Sequence, residues 1–217
     1  MPGICQNLKI ISSELAPAGV KLVAVSKLQP EKSILEAYHC GQKTFGENRV
    51  QELLPKAGAL PKDIEWHLIG HLQTNKVKFI APFISLIHSV DSLNLLKEID
   101  KEAKKNSRII PCLLQIRIAR EETKFGMKFD KAKELFDSCE LQNYQNIKIS
   151  GLMGMATQTE DQTLVRSEFR SLHKFYSELK HKHNLSILSM GMSGDYKIAV
   201  EEGSNMVRIG SSIFNIS

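Results

Sequence analysis

Eight short β-rich runs alternate with stretches of helical character along the 217 residues of this chain. The runs lie at 21–27, 43–48, 64–70, 85–90, 110–118, 147–155, 186–192 and 205–211. Helices are expected at 30–40, 50–57, 74–80, 92–105, 130–139, 161–181 and 196–202, with Gly41, Gly58 and Gly203 as stops and Pro82 ending the third. Several runs carry apolar residues at consecutive positions, as in Leu22-Val23-Ala24-Val25 and Leu113-Leu114-Gln115-Ile116. Strands covered on both faces of a parallel sheet read this way. Eight such units predict a closed (β/α)8 barrel of the TIM type, with 1–217 as one domain. An open doubly wound sheet is the alternative. Ahead of the first run, Ile4, Leu8, Ile11 and Leu15 share one stripe and predict an extra N-terminal helix, read as a lid on the barrel bottom.

Several function classes are disfavoured at this stage. The apolar stretches at 79–87 and 109–114 contain Pro82 and Pro111 and fall short of the roughly 18 residues a spanning helix needs. The N-terminal residues show no basic segment followed by a long apolar one, so a cytoplasmic location without membrane contact is expected. Cys5, Cys40, Cys112 and Cys139 are widely spaced, which argues against a disulfide framework and a zinc site and reads as mostly buried thiols. The net charge of +5 suits either nucleic acid or anionic small molecules. In the densest basic segment, 97–105, acids interleave at helical spacing, as on a solvated helix face, so no nucleic-acid partner is expected. The nucleophile-elbow, zinc-protease, phosphate-loop and dinucleotide-binding signatures are all missing.

Barrels of this kind carry their chemistry at the C-terminal ends of the strands, often with a phosphate held by the loops after strands seven and eight. Those loops read Met192-Ser193-Gly194-Asp195 and Gly210-Ser211-Ser212, offering hydroxyls and backbone N–H groups. The competing reading is that the glycines permit turns and the serines cap helices. The first run ends at Lys27, and a lysine desolvated at the rim of an apolar barrel favours the amine nucleophile that condenses with carbonyls. A lysine leaving the strand into solvent is the plainer alternative. Arg208 lies within Met206-Val207-Arg208-Ile209, where a guanidinium must find an acceptor; Glu47 or Asp195 would serve as a core partner. His67 reads as a core or supporting residue, and His71 as lining the mouth or capping a helix. His181 and His183 read as solvated.

Six ordered blocks carry a resemblance: Ala24-Val25-Ser26-Lys27, then 45–52, 66–76, 124–127, 151–156 and 188–214. From about Val20 onward the chain resembles the pyridoxal 5′-phosphate homeostasis proteins, relatives of the alanine racemase N-terminal barrel. The resemblance implies that Lys27 holds pyridoxal 5′-phosphate (PLP) as a Schiff base and that Ser193, Gly210 and Ser211 bind its phosphate. It further implies that Arg208 faces the pyridine nitrogen, that Asn48 lies near the ring substituents, and that Met153 and Met192 form pocket wall. An arginine opposite that nitrogen disfavours its protonation and makes the cofactor a poorer electron sink. The implied role is a monomeric, non-catalytic carrier that buffers PLP or delivers it to PLP-dependent apo-enzymes. The alternatives are a PLP-dependent racemase with Lys27 as base, and a Schiff-base aldolase without cofactor. A racemase would need a β domain and a second base on the opposite face, and neither is expected here. The chain departs from the family at Arg49, where tyrosine is common, and at Gly194, where an acid is frequent.

Overall fold

Eight parallel strands close on themselves in sequence order. The computed structural model describes residues 3–121 and 125–214. The strands are β1 (Lys21–Val25), β2 (Thr44–Glu47), β3 (Glu65–Leu68), β4 (Leu86–Val90), β5 (Ile110–Ile116), β6 (Ile147–Gly154), β7 (Ile187–Ser189) and β8 (Met206–Ile209). Pairing of β1 with β8, from Lys21 opposite Met206 to Ala24 opposite Ile209, seals the ring and leaves no open edge. The barrel is therefore the closed one expected from the sequence, and the open sheet is excluded.

The helices are α1 (Ile4–Leu15), α2 (Glu31–His39), α3 (Val50–Ala59), α4 (Val77–Ile80), α5 (Leu93–Lys105), α6 (Phe129–Asp137), α7 (Gln162–Lys180), α8 (Tyr196–Glu201) and α9 (Ser211–Phe214). Local chemistry sets several of their ends. The Ser92 hydroxyl accepts from the Leu95 N–H to start α5, and the Asp161 carboxylate accepts from the Thr163 and Leu164 N–H groups to start α7. Gly58 does not stop α3, which runs on to Ala59. On α5 Lys101 pairs with Glu98 on the solvated face expected of that segment, whereas the Glu102 that pairs with Lys105 is buried. No helix among the described residues is long and apolar enough to cross a membrane.

Alternation along each strand divides the apolar residues into two bodies. The larger lies between sheet and helices and includes Phe45, Trp66, Leu114 and Phe169. The smaller, Val23, Leu86, Leu113, Met153 and Met206, fills the barrel interior.

Two expectations are corrected. Helix α1 is not a lid on the bottom; it stands in the outer ring, against α2, α9 and β1. Its Asn7 side chain donates to the Ile213 carbonyl, and Glu14 accepts from Tyr196 and Lys197 on α8. Its apolar stripe, Leu8, Ile11 and Leu15, is buried there, between α9 after β8 and α2 after β1. The cysteines are not all buried thiols: Cys5 and Cys40 form a disulfide joining α1 to the end of α2, with Cα atoms 5.5 Å apart. Cys112 is a buried thiol and Cys139 an exposed one.

Phe169, on the inner face of α7, is fully buried. Truncating it in Phe169→Ala should cost about 3–5 kcal/mol, read as a lower urea midpoint with an unchanged denaturant slope.

Candidate functional site

The rim of the barrel is shaped by how each strand ends. β1 finishes at Val25, and the chain turns through Ser26, Lys27 and Leu28. The neighbours of Lys27 on both sides are fastened from β2 and α3. The Ser26 hydroxyl donates to Glu47 Oε1 at 2.6 Å, and Lys56 Nζ donates to the Ser26 carbonyl at 2.8 Å and to the same Glu47 oxygen at 2.7 Å. The Leu28 N–H donates to Glu52 Oε2 at 3.0 Å. Leu28 is held at φ +61°, a left-handed conformation that costs a branched residue about 1 kcal/mol and persists because the turn is fixed around it. Lys27 itself is exposed, two residues beyond the strand, and not desolvated within it.

Glu47 faces outward, under α3. It is fully buried, its Oε2 has no hydrogen-bond partner, and desolvation pushes its carboxyl pKa up against the pull of Lys56 and Ser26. It is therefore not the partner of Arg208, because Gly46 and Glu47 point to opposite faces of β2 and Arg208 lies inside.

Asn48, next along, is half-buried. The end of β3 passes it so closely that a Cβ on Gly70 would lie 2.4 Å from the Asn48 carbonyl oxygen, so only glycine fits there. His71 then extends to the rim, pairing with Asp91 at 3.4 Å and stacking on Phe125 with ring centroids 4.0 Å apart; it caps no helix. Lys124 of the 124–127 block lies outside the described residues.

Across the rim the loops after β7 and β8 meet. The Gly210 N–H donates to the Ser193 hydroxyl at 3.2 Å, leaving the hydroxyl proton of Ser193 to reach an anion. Asp195 holds the first loop by accepting from the Met192 N–H at 2.5 Å. The residue that needs a left-handed backbone in this loop is Gly191, at φ +100°, whereas Gly194 has open space around it. Ser211 is exposed and begins α9, where the Ile213 and Phe214 N–H groups donate back to the Gly210 carbonyl. Met192 is 38% exposed, but Met153 is fully buried in the interior cluster, under the rim.

Arg208 is the charged centre of that interior and is 4% exposed. It donates to the Ser189 hydroxyl at 2.6 Å and to the Gly154 carbonyl at 3.0 Å. Burial brings its pKa down to about 10, with Asp195 acting against the shift from a distance, so it remains charged at neutral pH. A guanidinium has five N–H donors, so its capacity exceeds these two bonds. Behind Ser189 lie His88 and His67, both buried. Ser189 and His88 escaped sequence reasoning; the signal for them was a polar residue at an inward position of a strand buried on both faces.

Two measurements follow from this geometry. Gly70→Ala should lose about 1–3 kcal/mol of unfolding free energy, since the added methyl meets backbone that cannot yield. Burial, reinforced by Lys21 and opposed by Glu65, pushes the His67 pKa down to about 3. The unfolded chain protonates this ring near about pH 6.5, so stability falls as pH drops from there toward 3. The ring should account for about 2 kcal/mol between pH 7 and 5, and urea titrations of His67→Asn should lack that share of the pH dependence.

Comparison with known proteins gives a consistent picture. The family model described as the N-terminal domain of alanine racemase matches residues 3–217. The pyridoxal phosphate homeostasis protein of Aquifex aeolicus (strain VF5) is 46% identical over 198 residues, covering 89% of this chain and 86% of the relative. The structure of PipY from Synechococcus elongatus PCC7942 without PLP superposes with a TM-score of 0.91 at 36% identity, covering 97% of this chain and 99% of PipY. With PLP bound, PipY superposes with a TM-score of 0.84 at 35% identity and the same coverage. On these matches, across nearly its full length, the chain belongs to the pyridoxal phosphate homeostasis proteins within the alanine racemase N-terminal barrel family.

Proposed function

We propose that this protein binds PLP at the C-terminal rim of its barrel and serves PLP homeostasis, buffering the cofactor or handing it to PLP-dependent apo-enzymes as a non-catalytic, monomeric cytoplasmic carrier. The observation that carries the reading is Arg208, a guanidinium buried inside the barrel and held there by Ser189 and the Gly154 carbonyl, whose donors suit an acceptor such as a pyridine nitrogen. The joined loops of Ser193 and Gly210, with Ser211 beside them, suit a phosphate dianion. PLP supplies an aldehyde that condenses with a primary amine, and Lys27 is assigned as that amine. Its turn is fixed by Glu47, Lys56 and Glu52, which restrict the backbone on either side of it. Asn48 and Met192 are assigned to the ring's surroundings. Met153, being fully buried, is assigned to the floor beneath it. The homeostasis role is the one carried by the name of the Aquifex relative, and PLP is bound in the PipY structure.

Adding PLP to the purified protein should produce a visible absorption band, and borohydride reduction followed by peptide mapping should place a pyridoxyl group on Lys27. Lys27→Ala should abolish both. Adducts scattered over surface lysines would overturn the site. Conversion of L-alanine to its D-isomer, lost in Lys27→Ala, would make the protein a racemase.

A further inference from the structure

We propose that Arg208 is aimed by a one-way hydrogen-bond relay through Ser189, His88 and His67, which makes Ser189 and His88 positioning residues for the guanidinium. The relay runs inside the barrel from β8 through β7 and β4 to β3. Arg208 Nη1 lies 2.6 Å from Ser189 Oγ, Ser189 Oγ lies 3.1 Å from His88 Nδ1, and His88 Nε2 lies 3.0 Å from His67 Nδ1. Ser189 and His88 are fully buried and His67 is 3% exposed, so solvent cannot substitute for a missing partner.

Donor and acceptor roles propagate from the arginine. A guanidinium only donates, so Ser189 Oγ accepts from it. The one hydroxyl proton of Ser189 is then available to His88 Nδ1, which must carry a lone pair. A neutral His88 therefore has its proton on Nε2 and donates it to His67 Nδ1, leaving the His67 proton on Nε2 as well. Every dipole in the series turns its negative end toward the guanidinium, an arrangement that is mutually reinforcing in a low-dielectric interior. Reversing the histidines would put a ring N–H against Ser189 and strand the hydroxyl proton. The cation thus sets the tautomer of two imidazoles, and they in turn fix the rotamer of the hydroxyl that holds it.

The role of the guanidinium rests on the PLP reading, but the tautomers do not, and the experiment separates the two. Nitrogen-15 spectra of histidine-labelled protein without added PLP should show both His67 and His88 protonated at Nε2 and bare at Nδ1. Either ring protonated at Nδ1 would overturn the relay, whatever the protein binds. With PLP added, Ser189→Ala should weaken binding about tenfold, the equivalent of one lost hydrogen bond to a charge, and shift the visible band. Ser189→Thr, which keeps the hydroxyl, should restore both. His88→Asn keeps an acceptor for Ser189 and should retain the wild-type band, whereas His88→Leu should not. An unchanged band and affinity in both Ser189→Ala and His88→Leu would refute the positioning role. Wild-type protein that shows the predicted tautomers but no PLP band would sink the cofactor reading and leave the relay standing.

Discussion

Closing eight parallel strands into a ring abolishes the sheet edges and commits every second residue of each strand to a shared interior. That interior is narrow, and side chains fill it. Part of the solution is apolar, with Val23, Leu86, Leu113, Met153 and Met206 in contact. Toward the rim a guanidinium takes part, and because it cannot shed its charge the residues around it must answer it. Ser189, the Gly154 carbonyl and the two histidines are arranged to that end. The ring closure and the buried charge are one constraint, since Arg208 lies opposite Val23 in the register that seals the barrel.

The outer face of the same strands shows a second way of handling a buried charge. Glu47 and Lys56 form an ion pair beneath α3, 2.7 Å apart, and both also bond to Ser26. A buried pair of this kind contributes little net stability once desolvation is counted, but it is stiff, and removing one partner leaves an uncompensated charge. Here the stiffness acts on the peptide that leads into Lys27. The exposed amine owes its placement to groups on the far side of the sheet.

Much of the architecture was legible in the sequence because its signals are local and periodic. The doubly covered strands, the helix over 92–105 and the acids laced through 97–105 each depend on near neighbours. The location of α1 was not legible, since its apolar stripe is equally consistent with a bottom lid, and only the surface between α9 and α2 decides between them. Nor was the Cys5–Cys40 pairing, which requires two helices to be brought alongside one another. The rim positions from Lys27 to Ser211 could be found from strand ends alone. A pairing of Glu47 with Arg208 fits the sequence but not the fold, because sequence does not reveal on which face of a four-residue strand a carboxylate emerges. Ser189 and His88 are marked only as polar residues in apolar strands, and their partnership with Arg208 becomes legible only once the strands opposite are known.

The position of α1 has a bearing on how the chain is made. Its apolar stripe faces β1, α2 and α9, and Asn7 waits for a carbonyl 206 residues away. A ribosome delivers β8 and α9 long after α1, so that helix emerges before the surface it covers exists. Until then β1 has only one of its two strand neighbours. Folding during synthesis can therefore assemble an open, curling sheet but cannot complete the ring, and the long-range contacts that seal it bear the highest loop-closure entropy in the molecule. The nascent barrel is exposed to strand-edge pairing until β8 is translated, and α1 and the β8–α9 segment act together as its clasp.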